Sequence, residues 1–398
     1  MTTRNSIDAR KIVHAKSHPT VRINSKRLEH SPYAEKYADE QTLFAVYAKR
    51  LYPISLGENV IEQYWKLRRE VMLYDTPEKP IDIKGPDTVA LLDRVFARRI
   101  DNLNTWRARY AIACTPQGGI IMDGVLIRLA EDHFWYVEAN GEFENWLLAQ
   151  SDGLDVTVSD PQSRVLQIQG PKALDVLTDA TDGQVPDTFG YFHAGMFNLA
   201  GQELLVSRTG WTGEIGIEVY SNRATDHSAL WDHIIESGKA HGMAFGSGGS
   251  MGLRRVEAGI LDYDGDIDSS MTPFDAGLGG FVDFSKADFV GRQALLNANK
   301  NCRLFGLSTA TGIPRFGSTV LDGKNEVGYM KVGDWSPTLE KGIGYVLFDQ
   351  PANGQGTWLG QTLTLCDLEG KHHDCEIVSM PFYDAEKKIP RGLEVAEI

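Results

Sequence analysis

A strand, a Gly-Pro turn and a helix occur twice in this chain with the same layout, and that repetition constrains the fold more than any other feature. Pro80 to Lys84 alternates apolar and charged residues as a strand does. Gly85-Pro86-Asp87 then leads into Thr88-Val89-Ala90-Leu91-Leu92-Asp93-Arg94-Val95-Phe96, apolar at helical spacing with proline near the first turn. The unit returns at Val165-Leu166-Gln167-Ile168-Gln169-Gly170-Pro171-Lys172-Ala173-Leu174-Asp175-Val176-Leu177. Two copies of one device predict two related subdomains. A length of 398 residues exceeds the size at which a single core keeps growing, so two or three domains are expected.

Short strands and helices alternate irregularly up to about residue 300, which favours α+β layers over a doubly wound sheet. Ahead of the first repeat, Gln63-Tyr64-Trp65-Lys66-Leu67-Arg68-Arg69-Glu70-Val71-Met72-Leu73 reads as an amphipathic helix, stopped at Pro77 after Tyr74-Asp75-Thr76. Beyond Asn301, short apolar runs punctuated by Gly, Pro and Asp predict a small all-β barrel. Met1 to Arg27 is rich in Arg, Lys, His, Ser and Thr and has no apolar stretch of the secretory kind. It reads as a basic, partly disordered arm.

The net charge of -14 opposes a general role in nucleic-acid binding, which requires a basic surface to neutralise phosphate. No apolar run approaches the roughly 18 residues that span a bilayer, so no membrane partner is expected. Cys114, Cys302, Cys366 and Cys375 form no CxxC pair, which points to a reducing, cytoplasmic setting and no structural metal. Small-molecule chemistry is the class left open.

Candidate site residues stand out against this background. Val206-Ser207-Arg208-Thr209-Gly210-Trp211-Thr212-Gly213-Glu214-Ile215-Gly216-Ile217-Glu218-Val219-Tyr220 threads three glycines between polar groups and ends in a short alternating run. Such glycine density indicates backbone bent tightly against something. Alternation puts Glu218 on the face opposite its apolar neighbours, either as a ligand-facing acid or as an exposed residue of a plain hairpin. Tyr110 to Ile127 reads as a hairpin around Pro116-Gln117-Gly118-Gly119, with Asp123 interrupting an otherwise apolar second strand. That carboxylate belongs either at a strand end or in a buried pair. Arg254-Arg255-Val256-Glu257 reads as a helix end followed by an acidic loop, Asp262 to Asp268, which lacks the glycine and terminal Glu spacing of a calcium loop. Gly246 to Gly252 fails the dinucleotide fingerprint, because Met251 stands where its last glycine belongs. His372-His373-Asp374-Cys375 reads as a barrel strand rather than a metal cluster.

Taken together, these segments resemble the folate-binding aminomethyltransferase family, typified by the T-protein of the glycine cleavage system. The glycine-rich stretch is similar to that family's S-R-T-G-Y-T-G-E-x-G-[FY]-E signature, with Trp211 for Tyr and Ile217 for the aromatic. Gly118-Gly119-Ile120-Ile121-Met122-Asp123, Gln169-Gly170-Pro171-Lys172-Ala173, Arg255-Val256-Glu257-Ala258-Gly259, Phe289-Val290-Gly291-Arg292-Gln293-Ala294-Leu295 and Ser336-Pro337-Thr338-Leu339 support it in the family's order. The resemblance covers residues 28–390 and implies an α+β, three-domain cloverleaf around a central channel for tetrahydrofolate. In that scheme the arm is 1–27, and 28–79 with 161–265 forms a central folate-binding α+β domain. Residues 80–160 with 266–300 form a second α+β domain, and 301–398 a C-terminal β-barrel or jelly-roll-like domain.

Position by position, the resemblance implies that Asp123 is the catalytic aspartate and Glu218 the acid that grips the pterin. Tyr110, Val125, Trp211, Arg255 and Tyr263 fall on cofactor-binding positions. Two departures bear on the substrate. The family's F-D-V-S-H-M is Tyr74-Asp75-Thr76-Pro77-Glu78-Lys79 here, and its A-R-D is Ser250-Met251-Gly252. The N-terminal portion, with Val46-Tyr47 and Leu51-Tyr52-Pro53, looks more like the dimethylsulfoniopropionate demethylases, which also have Gly-Trp in the signature. The leading expectation is therefore a tetrahydrofolate-dependent methyltransferase that demethylates a small S-, N- or O-methylated substrate, such as a sulfonium held by Trp211 through a cation–π contact. The alternative is an aminomethyltransferase acting with a lipoyl carrier protein.

Overall fold

The structure is a computed structural model that describes residues 24–352 and 357–393. The expected arm lies outside the described residues except for its last few, which include a short turn at Ser25–Arg27. The chain divides into two compact units, one of residues 29–300 with the segment after Met380, the other of residues 301–380 with the described residues before Glu29.

The larger unit begins with an antiparallel hairpin of β1 (Leu43–Tyr47) and β2 (Arg50–Ser55). A helix follows at Val60–Arg69, started by the Asn59 side chain, which accepts from the Ile61 and Glu62 amides. The expected helix through Leu73 is corrected here: it stops at Arg69, and Met72–Thr76 is strand β3. The run Val71-Met72-Leu73-Tyr74 is buried throughout because β3 lies inside a sheet, between β9 (Val165–Gln169) and β13 (Ala244–Phe245). A short apolar run of this kind carries no period that distinguishes strand from helix.

The repeated device builds two sheets. β4 (Lys79–Lys84) joins β5 (Arg107–Cys114), β6 (Ile120–Ala130), β7 (His133–Glu138) and β8 (Thr157–Ser159) in the order β5-β6-β7-β4-β8. β9 joins β3, β10 (Ala194–Leu199), β11 (Gln202–Ser207), β12 (Gly216–Tyr220) and β13 in the order β10-β11-β12-β9-β3-β13. At the end of β4 and of β9 stand Gly85 and Gly170, with φ of +137° and +132°. A Cβ on either would fall 2.4 Å from the Asp155 carbonyl oxygen or 2.5 Å from that of Glu70. Both copies thus leave the sheet through one glycine-only conformation and enter helices Thr88–Val95 and Ala173–Ala180.

Each sheet packs helices on one face. Leu166, Ile168 and Val219 meet Leu177, Trp231 and Ile234 of helices Ala173–Ala180 and His227–Gly238. Ile81, Ile83, Met122 and Phe134 meet Leu91 and Leu147 of helices Thr88–Val95 and Phe143–Gln150. The other two faces meet each other through Val165, Leu205 and Tyr220 on one side and Ala108, Ile127 and Val137 on the other. Strand alternation then decides where the acids go. Asp123 shares a face with Val125 and Ile127, and Glu218 shares one with Tyr220, so both carboxylates stand on the sheet faces that look toward each other.

A buried ionic cluster ties this unit together. Arg68 and Arg254 both hold Oε1 of Glu214, Arg254 at 2.8 Å, and Arg254 also lies 3.5 Å from Glu257. The Tyr64 hydroxyl sits 2.8 Å from each Glu257 oxygen. Over this cluster lies the chain segment after Met380, where the Tyr383 ring is 5.0 Å from the Arg68 guanidinium and 5.8 Å from that of Arg254. The Phe382 amide donates to the Glu257 carbonyl at 3.0 Å, and Arg208 donates to the Pro390 carbonyl at 2.8 Å. Residues 381–393, expected to belong with the barrel, therefore pack on the larger unit.

The smaller unit is a closed barrel of β14 (Leu304–Thr309), β15 (Thr319–Asp322), β16 (Asn325–Ser336), β17 (Lys341–Phe348), β18 (Thr362–Cys366) and β19 (His372–Val378), in the order β14-β17-β16-β15-β18-β19. β14 pairs with both β17 and β19, which closes it. His372-His373-Asp374-Cys375 alternates out and in along β19, and His373 is buried against Asp367 at 2.8 Å.

Candidate active site

Asp123 lies inside strand β6, opposite Ile112 of β5, and only 6% of it is exposed. Tyr110 is paired with Val125 across the same two strands, so its hydroxyl reaches diagonally and donates to Asp123 Oδ2 at 2.7 Å. Oδ1 is buried and has no hydrogen-bond partner among the described residues. Burial pushes the carboxyl up to about 6, while the Tyr110 bond works in the opposite direction. The result is a carboxylate still ionised at neutral pH with one oxygen held and the other open. Of the two sequence readings, the buried pair is the one observed.

Glu218 sits in a polar row across three strands, opposite Ser207 of β11 and Gln167 of β9. Its Oε2 accepts from Thr209 at 2.6 Å, Tyr220 at 2.5 Å and, more weakly, Ser207 at 3.3 Å. Oε1 accepts from Gln167 Nε2 at 3.0 Å. Each carboxylate oxygen has two lone pairs, so Oε2 is full and Oε1 has one left. A bidentate grip on a ring by Glu218 alone is thus not available. Burial raises this carboxyl above its ordinary value against the opposing pull of the three hydroxyls.

The glycine-rich stretch between β11 and β12 is bent against its neighbours as its composition requires. Gly213 has φ +71°, and a Cβ there would fall 2.5 Å from the Cβ of Ala258 at the end of helix Gly248–Glu257. Two residues earlier, Trp211 carries the Arg255 guanidinium 4.9 Å from its ring centroid. Arg255 also holds the buried Asp266 carboxylate and the Ile260 carbonyl, the latter at 3.1 Å. One face of the indole is therefore already in contact with a cation of the protein itself.

The structure bonds Tyr110 to Asp123, sets Val125 opposite Tyr110, brings Tyr263 within reach of the Asp123 charge and lays Arg255 against Trp211, and it adds groups that sequence reasoning did not single out. The Tyr47 hydroxyl, on β1, is held far above its ordinary value by burial and then by the charges of Asp262, Glu78 and Asp123. Tyr52 of β2 packs edge-on against Tyr47 at 6.3 Å. Asp262 is pushed up to about 7 by burial, with nearby Arg255 opposing. Tyr263 is raised to about 12 by burial and by Asp264, Asp268 and Asp123. Gln167 bridges Glu78 and Glu218, donating from Nε2 to Glu78 Oε1 at 2.7 Å. A signal for Gln167 existed in the sequence: a fully buried strand, Val165–Gln169, carries glutamine at alternate positions.

The family's charged A-R-D segment is replaced by Ser250, whose hydroxyl lies 3.0 Å from that of Tyr74, and by Gly252, where a Cβ would meet open space. Among the described residues, no group of three metal-ligating side chains is gathered, and no helix is long and apolar enough to cross a membrane.

An α+β unit that places acids on two facing sheets is followed along the chain by a closed barrel. The chain belongs to the glycine cleavage T-protein family: residues 34–286 match the GCVT N-terminal domain and residues 303–384 the glycine cleavage T-protein C-terminal barrel domain. It is 31% identical over 333 residues to an aminomethyltransferase of Caldanaerobacter subterraneus, covering 81% of this chain and 88% of that one. An aminomethyltransferase of a Thermoanaerobacter species is 30% identical, with 91% and 99% covered. The crystal structure of the glycine cleavage system aminomethyltransferase T from Bartonella henselae superposes with a TM-score of 0.78 at 25% identity, over 90% of this chain and 98% of that one.

Proposed function

We propose that this protein transfers a one-carbon group to tetrahydrofolate, with Asp123 beside the reacting nitrogen and Glu218 at the pterin edge. The observation that carries the proposal is the open Oδ1 of Asp123, a buried carboxylate oxygen with no partner among the described residues. Gln167 Oε1 is likewise buried and unpartnered among them, and a flat ring rich in N–H groups fits these two acceptors. Tetrahydrofolate supplies the nucleophilic N5 nitrogen that takes the carbon. Asp123 accepts from or faces that nitrogen and stabilises positive charge developing there, while Tyr110 holds the carboxylate in place. Tyr110, Val125, Arg255 and Tyr263 would line the ring's pocket, with Trp211 oriented by Arg255.

For the donor, the aminomethyl group of a lipoyl carrier protein is the better-supported reading. The relatives carry the aminomethyltransferase name, and one face of Trp211 already carries the Arg255 guanidinium. Demethylation of a small methylated substrate is the second reading. It is favoured by the loss of the charged segment at Ser250-Met251-Gly252, where a Met251 packed with Leu67, Met72 and Tyr74 replaces the base and open space at Gly252 replaces the acid. Mass spectrometry of the folate product decides between them. Methylenetetrahydrofolate formed only with an aminomethylated carrier supports the first; 5-methyltetrahydrofolate formed from a methyl-donor panel without carrier supports the second. A protein that binds no tetrahydrofolate refutes both.

A further inference from the structure

Glu78 stands where the family's F-D-V-S-H-M has histidine, in the turn that joins β3 to β4. Its carboxyl is tied to Glu218 by one amide: Gln167 Nε2 donates to Glu78 Oε1 at 2.7 Å and to Glu218 Oε1 at 3.0 Å. Both amide hydrogens are thereby used, and the two acids flank a single nitrogen. Glu78 Oε2 and Gln167 Oε1 remain buried without partners among the described residues.

The two acids are not equivalent. Glu218 is solvated by three hydroxyls, from Thr209, Tyr220 and Ser207, and these favour its charged form. Burial and the neighbouring Glu218 charge push Glu78 up to about 8, with Thr76 and Arg50 opposing. The groups facing Glu78 are Glu218 and Tyr220 from β12, Tyr47 from β1, and Tyr52 and Arg50 from β2. Arg50 donates to the Glu78 backbone carbonyl at 2.7 Å, and its Nε is engaged by Glu29 at 3.0 Å. Among the described residues no cation is bonded to the Glu78 carboxyl oxygens, and at neutral pH the acid keeps its proton. Oε1 accepts from Gln167, so that proton sits on the open Oε2.

We propose that Glu78 is a second ring-binding residue, a carboxylic acid that donates to an acceptor on the bound heterocycle while Glu218 Oε1 and Gln167 Oε1 accept from its N–H groups. The inference rests on the folate reading. It explains how a Glu218 with a single open lone pair contributes to a selective site: the edge that fits must present N–H donors next to an acceptor, as the amide-like edge of a pterin does. A simple alkylammonium, which offers donors alone, leaves the Glu78 proton unmatched.

Calorimetric binding of tetrahydrofolate to the full-length protein between pH 6 and 9.5 tests this, with Glu78→Gln and Glu78→Ala compared and thermal melts confirming that each folds. Wild-type affinity should fall by about tenfold per pH unit above pH 8, as the Glu78 proton is lost. Glu78→Gln keeps a donor at every pH, so it should hold within about threefold of wild type at pH 7 and stay flat to pH 9. Glu78→Ala should lose about tenfold or more at pH 7 and also be flat. Wild-type affinity in Glu78→Ala, or an unchanged alkaline limb in Glu78→Gln, overturns the inference while leaving the folate reading standing. A wild-type protein that binds no folate at any pH overturns that reading, and the inference with it.

Discussion

Replacing Tyr110 with phenylalanine removes one hydroxyl and should move the pH profile of turnover. That hydroxyl, 2.7 Å from Asp123 Oδ2, is the side-chain donor recorded for a carboxylate that is 6% exposed. A hydrogen bond to a charged acceptor in such a setting contributes about 1.5–3 kcal/mol. At 1.36 kcal/mol per tenfold, its loss shifts the ionisation of Asp123 toward the alkaline side by about one to two pH units. In the wild type the carboxyl titrates at about 6, so it is mostly charged at pH 7. In Tyr110→Phe about half to nine-tenths of it is protonated at pH 7, and kcat should fall roughly two- to tenfold there. By pH 9 the loss should largely disappear. The assay is kcat at saturating folate from pH 5 to 9.5, which keeps changes in affinity out of the comparison. An acid limb that stays near pH 6 in Tyr110→Phe, or a loss that persists undiminished at pH 9, refutes the assignment of Asp123 as the ionised group beside the reacting nitrogen.

Asp123→Asn should cut kcat by about 100- to 1,000-fold with a smaller effect on folate affinity, and it should also stabilise the fold. The folded state binds the Asp123 proton more tightly than the unfolded chain, since burial raises the carboxyl from 3.8 to about 6. Ionisation therefore opposes folding, at no cost below pH 4 and at a full cost of about 3 kcal/mol above pH 6. Differential scanning calorimetry should show Asp123→Asn melting about 5–10 °C higher at pH 7 and no higher at pH 4; a gain at pH 4 alone would reverse the argument. Glu218→Ala should weaken folate binding about tenfold or more with kcat less affected, measured by calorimetry and saturation kinetics, and an equal loss in both quantities would dissolve the division of roles between the two acids. Gly213→Ala should destabilise the larger unit by about 2–5 kcal/mol, since it combines a left-handed backbone with a 2.5 Å approach to Ala258; a melt within a degree of wild type contradicts the packing described for the glycine-rich stretch.

Much of the fold was legible because the repeat writes itself locally. Gly85-Pro86 and Gly170-Pro171 mark two strand-to-helix exits, and the alternation and turn residues of Tyr110 to Ile127 describe a hairpin that the structure contains. The change of pattern after Asn301 likewise corresponds to a closed barrel. β3 was not legible, because a strand covered on both faces has no alternation to read. Of the site, Asp123 and Glu218 were visible as acids breaking apolar strands. Gln167 showed only as a glutamine alternating in an apolar strand, because its importance comes from the register that sets β9 beside β12, and Glu78 gave no signal, because its partner Gln167 lies 89 residues away. The setting of Trp211 was not legible for a similar reason. The cation over its ring comes from Arg255, 44 residues further along, and only the folded chain shows the indole already in contact.

The segment from Pro381 onward, which covers Arg68, Arg254 and Glu214, imposes an order on biogenesis. Every strand of the larger unit has been synthesised before the barrel is begun, yet the piece that roofs its ionic cluster is translated after the barrel. Until then Tyr383 and the Phe382 amide are missing, and the two arginines with Glu214 and Glu257 remain open to water. The nascent unit can gather its sheets on the ribosome, but it must wait for the segment beyond the barrel to emerge before it reaches its final state.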